Sequence, residues 1–197
     1  MPLLKIIETD LHASSADLNG ISIVALFCGR AINLKTILVT GAAGFLGSHV
    51  CDELLSKGYT VVGVDNFFRG KKENVAKDVI FLERDLTLEG IEDLINLHNI
   101  DTVFHYAAIN GTEHFYDIPA KVFNDNMNMT RNVLESITRG DSVKRIVYTS
   151  TSEVYGDPLT HPQSEEYCGN VDPVGPRGVY DEAKRFQEAL TTAYHTY

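Results

Sequence analysis

Tyr180 and Lys184 stand four residues apart, a spacing that puts both side chains on one face of a helix. Together they can do acid–base chemistry. A free phenol is a poor base at neutral pH, but a neighbouring ammonium, and a positive nicotinamide ring if one binds there, both favour the phenolate. The spacing alone is weak evidence, because tyrosine and lysine are both common in this chain. A second cluster strengthens it. Thr149-Ser150-Thr151-Ser152-Glu153 follows the β-branched run Arg145-Ile-Val-Tyr-Thr149, and hydroxyls at the carboxyl end of a strand can hydrogen-bond a substrate hydroxyl that loses its proton. In isolation the same residues also read as a Ser/Thr-rich turn capping a strand, and Glu153 as a solvated loop acid.

A third group precedes these two. Gly41-Ala-Ala-Gly44-Phe45-Leu46-Gly47 lies between the run Thr36-Ile-Leu-Val-Thr40 and a helical stretch. Gly41 and Gly44 permit a tight turn and a close approach of backbone N–H groups to a pyrophosphate, which the helix N-terminus also attracts. The next β-branched run, Thr60-Val-Val-Gly-Val64, ends in Asp65, 18 residues beyond Gly47. A carboxylate at that distance accepts hydrogen bonds from the adenosine ribose and repels a 2′-phosphate, which favours NAD over NADP. The plainer alternatives are an ordinary glycine turn and a loop start at Asp65-Asn66. Arg84-Asp85-Leu86 ends the third run. Asp85 there suits either the adenine amino group or a helix cap before Thr87.

These groups need a scaffold that brings strand ends together. Five short, mostly apolar runs alternate with helical stretches: Thr36–Thr40, Thr60–Val64, Val79–Leu82, Thr102–His105 and Arg145–Thr149. Such runs suit strands buried on both faces of a parallel sheet. The expected helices are Phe45 to Lys57, Leu88 to Asn99, about Pro119 to Arg139, and one starting near Gly178. In that last helix Ala183, Phe186, Leu190, Ala193, Tyr194 and Tyr197 keep helical spacing to the final residue, so the chain is expected to stop inside an element. The fold class is therefore α/β, a Rossmann-type doubly wound parallel sheet over residues 36–197. Residues 1–35 form an extension of unknown role, in which Ile21 to Phe27 suits a strand and Ser14 to Leu18 a short helix.

Composition narrows the partners. With 197 residues, 44% of them apolar, the chain can bury a core without staples, and its three scattered cysteines imply a reducing compartment rather than a disulfide framework. A net charge of −10, with no basic cluster longer than Arg69-Gly-Lys-Lys72, argues against nucleic acid and anionic membranes. The apolar run Ile21 to Cys28 is too short to span a bilayer, and Glu8 and Asp10 do not suit a signal peptide, so the expected location is cytoplasmic. No metal-ligand pattern is present.

From residue 36 onward the chain resembles the extended short-chain dehydrogenase/reductases, the NAD-dependent sugar-nucleotide epimerases, dehydratases and decarboxylases. The resemblance rests on Thr40-Gly-Ala-Ala-Gly-Phe-Leu-Gly-Ser-His49, Asp65-Asn-Phe-Phe68, Asp85-Leu86, His105-Tyr-Ala-Ala108, Asn126 with Thr130 and Asn132, and Tyr180-Asp-Glu-Ala-Lys184. Within the family, Asp65 to Lys71, Ser150 to Gly156 and Gly169 to Arg185 look most like UDP-glucuronate decarboxylases.

The resemblance implies that NAD is held by Gly41, Gly44, Phe45, Leu46, Gly47, Asp65, Asn66, Phe67, Phe68, Gly70, Asp85, Leu86, Ala107, Ala108, Tyr180 and Lys184. It further implies that Tyr180 takes the proton of the sugar 4-hydroxyl as hydride passes to NAD+, with Thr151 orienting that hydroxyl. Loss of carbon dioxide from the 4-keto intermediate follows, near Ser152 and Glu153, and the returning hydride leaves no net redox change. The partners implied are a UDP-sugar or other NDP-sugar, and a second copy joined through a four-helix bundle. Ser152 stands where a 4,6-dehydratase normally carries an acid, which weakens that alternative; a 4-epimerase stays open. The segment Tyr106 to His114 and Met129 depart from the decarboxylase pattern, which puts the sugar in question. The resemblance also implies truncation before the C-terminal sugar-nucleotide domain, so an NAD-binding or dimerisation module without turnover is a further alternative.

Overall fold

The computed structural model describes residues 6–10 and 36–196. The backbone alone is described for 6–10. Among the described residues six strands form one sheet: β1 (Ile6–Asp10), β2 (Thr36–Thr40), β3 (Thr60–Asp65), β4 (Ile80–Glu83), β5 (Thr102–His105) and β6 (Arg145–Thr149). Five α-helices accompany them among the described residues: α1 (Phe45–Ser56), α2 (Glu92–His98), α3 (Thr112–Asp117), α4 (Pro119–Arg139) and α5 (Gly178–Thr196). The strand order is β1-β6-β5-β2-β3-β4. β2 through β6 are all parallel, while β1 runs antiparallel to β6.

The sheet is covered on both faces, as the apolar runs require. Ile37, Val39 and Val61 pack with Cys51 and Leu54 of α1 on one side. Their neighbours Leu38, Val62 and Val64 pack on the other, with Leu94 of α2 and with Val122, Val133 and Ile137 of α4. Successive strand residues therefore enter opposite cores, the arrangement of a doubly wound sheet. Tyr180 of α5 joins the second core. Among the described residues no helix is long and apolar enough to cross a membrane.

The structure revises the expected elements in four places. First, residues 6–10, read from sequence as part of an unconnected extension, add an antiparallel edge strand. The segments Ser14 to Leu18 and Ile21 to Phe27 lie outside the described residues, as does Tyr197. Second, the third run pairs one residue later, as Ile80–Glu83.

Third, α2 starts at Glu92 rather than Leu88. A turn occupies the difference: Asp85 accepts Thr87 N–H on its side chain and Leu88 and Glu89 N–H on its carbonyl. Ser136 of α4 then accepts Ile91 N–H at 2.9 Å, and Gly90 leaves room for that hydroxyl, since a Cβ there would meet Ser136 Oγ at 2.1 Å. Fourth, α3 occupies a stretch where no helix was expected. Six residues between Gly111 and the Ile118-Pro119 step are too few to show helical periodicity.

Order reverses between β2 and β5, whose chains leave the sheet in opposite directions. Their carboxyl ends, Thr40 and His105, are register partners. Crevices at such a switch point are where open α/β sheets bind ligands.

Candidate active site

The glycine segment is shaped by close approach. Gly41 takes φ +68°, and a Cβ there would stand 2.9 Å from Ala107 N, so the exits of β2 and β5 touch through backbone alone. Gly47 is tighter: its Cβ would fall 2.0 Å from Gly41 O. Gly44 caps α1 with extended backbone and no side-chain hydrogen bond. The first amides of α1 are thus left without a side-chain acceptor, a cradle suited to an anion. Thr40 Oγ1 steadies the facing loop by accepting both Tyr106 N–H and Ala107 N–H at 3.1 Å.

Asp65 ties this cradle to the next loop. One oxygen accepts Ala43 N–H at 3.0 Å and the other accepts Phe67 N–H at 2.7 Å. Phe67 adopts φ +55° and its ring packs on Phe81, so it turns away from the cleft. Asn66 Oδ1 accepts Phe68 N–H, and Gly70 lies against Ala43 and Asp65, where a Cβ would come within 2.9 Å of both. Burial would raise the Asp85 carboxyl, but hydrogen bonds from Thr87 and Asn66 and the charge of Lys121 outweigh it and hold the group below the usual carboxylate range. Asn132 donates to Leu86 O at 2.8 Å.

One cleft of about 620 Å³ unites the two ends. Of the residues singled out from sequence, Gly41, Gly44, Phe45, Leu46, Gly47, Asp65, Asn66, Phe68, Gly70, Leu86, Ala107, Ala108, Thr151, Tyr180 and Lys184 line it. Phe67, Asp85, Ser152 and Glu153 do not.

At the far end, the Tyr180 ring is buried and stacks on Phe115 at 5.0 Å. Burial, then the charges of Glu153 and Asp181, push its phenol up to about 12 against the opposing pull of Arg69 and Arg177. Lys184, expected to favour the phenolate together with a bound nicotinamide ring, is not among the charges that lower the phenol in the free chain. The Lys184 ammonium is itself buried and turned inward, donating to Thr149 O at 2.9 Å and Gln187 Oε1 at 2.8 Å. Burial brings it down to about 8 against the pull of Glu188. Three donors sit on an ammonium, and two are spent here, which leaves one.

Thr151 Oγ1 accepts Glu153 N–H at 3.3 Å and keeps its own hydrogen to donate. Ser152 and Glu153 belong to a single 3₁₀ turn, Ser152–Tyr155, where Glu153 pairs with Arg177.

Three residues named from sequence only as parts of motifs have partners here that the sequence did not show. Asn126 clamps the loop after β5 through both amide atoms, to Ile109 N and O at 2.8 and 2.9 Å. Ser150 donates to Glu188 at 2.6 Å. His105, fully enclosed, meets Thr40 Oγ1 at 2.8 Å through Nδ1, and burial followed by the Lys184 charge lowers it to about 3, so it is neutral. None of these carries a spacing signal, since each partner lies 17 or more residues away in sequence.

Asp181 is buried with Oδ1 unpartnered, and burial, then Glu153, raise its carboxyl to about 6. A folded pKa above the unfolded 3.8 means the folded chain binds more protons, so this group's contribution is full below about pH 4 and is lost as pH rises through about 6. Asp181→Asn is therefore expected to stabilise the fold by about 2 kcal/mol at pH 7.5 and by nothing at pH 3.5. Urea midpoints at the two pH values check this, and equal gains at both would refute it.

The family model described as the NAD dependent epimerase/dehydratase family matches residues 37–197. UDP-glucuronic acid decarboxylase 2 of Arabidopsis thaliana is 44% identical over 159 residues, 81% of this chain and 35% of that protein. UDP-glucuronic acid decarboxylase 1 of Xenopus tropicalis is 41% identical over 160 residues, 81% of this chain and 37% of that protein. Among solved structures, UDP-glucose 4-epimerase of Thermotoga maritima with UDP-glucose aligns with TM-score 0.70 at 32% identity, covering 81% of this chain and 50% of that one. The Bifidobacterium longum UDP-glucose 4-epimerase, in complex with NAD+ and UDP, aligns with TM-score 0.72 at 30% identity, covering 82% and 49%. The chain thus spans a little over a third of these decarboxylases and about half of these epimerases. A match across four-fifths of its own length, on the strands and loops that build the cleft, makes the chain a member of the NAD dependent epimerase/dehydratase family.

Proposed function

We propose that this chain is the cofactor-binding half of a UDP-glucuronate decarboxylase acting through a 4-keto sugar. The observation that carries the reading is that Tyr180, Lys184 and Thr151 line the same cleft as the Gly41–Gly47 cradle, where α1 has no side-chain cap. The decarboxylase names of its relatives support the sugar assignment.

NAD would be held by the α1 amides at its pyrophosphate, by Asp65, Asn66, Phe68 and Gly70 with Leu86 around the adenosine, and by Ala107, Ala108, Tyr180 and Lys184 at the other end. When bound, the dinucleotide supplies a reversible hydride acceptor and a positive ring. The protein supplies proton handling. Tyr180 takes the proton of the sugar 4-hydroxyl, Thr151 donates a hydrogen bond that fixes that hydroxyl, and the remaining N–H of Lys184 anchors a ribose hydroxyl. A 4-keto sugar acid is a β-keto acid, so as carbon dioxide leaves C5 the bonding pair passes onto the C4 oxygen as an enolate, which then takes a proton at C5.

The test is incubation of the whole protein with UDP-glucuronate and NAD+, followed by product analysis. UDP-xylose and carbon dioxide are expected. The solved epimerases favour one second reading, a 4-epimerase; UDP-galacturonate as product would establish it. NAD binding without either product would make the chain a binding module.

Asp65→Ala is expected to weaken NAD binding and narrow its preference over NADP. Since Asp65 also holds Ala43 and Phe67, it should cost about 1–3 kcal/mol of stability as well. Titration with both dinucleotides checks this, and an unchanged preference rejects the ribose assignment. We also infer a homodimer through α4 and α5, which pack on each other and carry Phe123, Met127, Phe186 and Ala189 in an outward groove. Sedimentation showing monomer alone would reject it.

A further inference from the structure

We propose that the loop after β3 and the segment between β5 and α4 clasp one another over the glycine cradle, and that this clasp gates the passage of a dinucleotide into and out of the cleft. The gate rests on the reading of that cleft as a dinucleotide site and adds the route by which its occupant enters.

β3 and β5 are not neighbours, because β2 lies between them. Adjacent strands stand about 4.8 Å apart, so the chain segments that leave β3 and β5 can meet only by crossing above the exit of β2, where the cradle begins. They meet three times. Arg69 donates through Nη1 to Asn110 O. The ring of Phe68 lies 5.6 Å from that of His114 on α3. The Lys121 ammonium, from the first turn of α4, stands 5.5 Å from the centre of the same Phe68 ring. Phe68, Arg69, Asn110 and Lys121 all line the cleft. A dinucleotide laid from Asp65 and Leu86 across the α1 amides to Tyr180 would run the same way, between the clasp and the cradle.

Both walls are anchored behind the clasp. On the β3 side, Asp65 accepts Ala43 N–H and Phe67 N–H, while Lys71 N–H and the Asn74 amide donate to Ala43 O at 3.1 and 2.9 Å. On the β5 side, Asn126 holds Ile109 by both its N–H and its carbonyl, and Phe115 of α3 is buried against Tyr180. The crossing itself is made by side chains. Phe68 is 43% exposed and the Arg69–Asn110 bond lies at the surface, so the clasp opens by side-chain rotation while both walls stay folded. An exposed hydrogen bond, a ring contact and a cation over a ring are each weak. Three together favour the closed form and keep the open form within thermal reach.

Stopped-flow mixing of the chain with NADH, read by the fluorescence of the nicotinamide, tests this. Removing a contact from a gate raises its open fraction, so association and dissociation quicken together and affinity is unchanged. Removing a side chain that merely touches the ligand quickens dissociation. Arg69→Met and His114→Ala should each raise both rate constants roughly threefold to tenfold, the scale of one weak contact, with Kd within about twofold of wild type. The double variant should exceed either. Faster dissociation with unchanged or slower association would make these two side chains plain ligand contacts and overturn the gate, as would unchanged rates in all three variants. In either case NADH binding by the wild type leaves the dinucleotide site standing; a wild type that binds no NADH overturns both.

Discussion

Gly47→Ala is expected to destabilise the chain by about 3 kcal/mol or more and to abolish dinucleotide binding. The added Cβ would sit 2.0 Å from Gly41 O, 2.7 Å from Gly41 C and 3.0 Å from Ala42 Cα. All three are backbone atoms of the turn that leaves β2, so no side chain can swing aside. α1 must back away from the sheet, and in doing so it loses the packing of Cys51 and Leu54 on Ile37 and Val39. Overpacking a tight core ordinarily costs about 1–3 kcal/mol, and a clash with fixed backbone lies at or above the top of that range.

Gly44→Ala is the control. Its Cβ would meet Gly41 O at 3.2 Å, which a shift of a few tenths of an ångström relieves, so the fold should survive. Urea unfolding of the two variants separates them, and a Gly47→Ala chain as stable as wild type would refute the close-approach account of this turn.

Tyr180→Phe is expected to lower turnover by about 10²–10⁴-fold while NAD binding and stability stay close to wild type. The ring is what the fold uses: it stacks on Phe115 and closes the core between α4 and the sheet, and phenylalanine keeps both contacts. The hydroxyl is what the chemistry uses. At about 12 in the free chain the phenol is protonated at pH 7, so the bound cofactor's positive ring must do the lowering. A measurement of turnover with the whole protein, paired with NAD titration and a thermal melt, checks all three clauses. Loss of NAD binding in Tyr180→Phe would contradict the division between a binding cradle and a reacting hydroxyl.

Much of this was legible in the sequence because it is local. The runs Thr36–Thr40 and Thr102–His105 and the helix Pro119–Arg139 carry their own apolar period and punctuation, and they occur within the same bounds in the structure. The glycine segment and the Tyr180/Lys184 pair are likewise short patterns whose meaning comes from the element that carries them. What escaped was set by distant partners. α2 begins late because Ser136, 45 residues on, supplies the acceptor for Ile91. β1 is a strand because β6 offers it an edge, not because its sequence alternates. The inward turn of the Lys184 ammonium depends on Thr149 and Gln187, both outside the Tyr180/Lys184 spacing.

The relation between the two ends of the cleft was visible only as an order of motifs. Spacing put the glycines before the acid, and the hydroxyls before the Tyr/Lys pair. It gave no reason for Thr40 to brace the loop at Ala107, or for Arg177 to hold Glu153. Both are side chains with unremarkable sequence surroundings, and both act at the places where strand ends converge.

Everything proposed for this chain depends on its accepting the dinucleotide. Calorimetric titration of NAD+ into the purified chain tests that most directly. One saturable site per chain, lost in Gly47→Ala and kept in Tyr180→Phe, is the predicted result; no binding by the wild-type chain would contradict it.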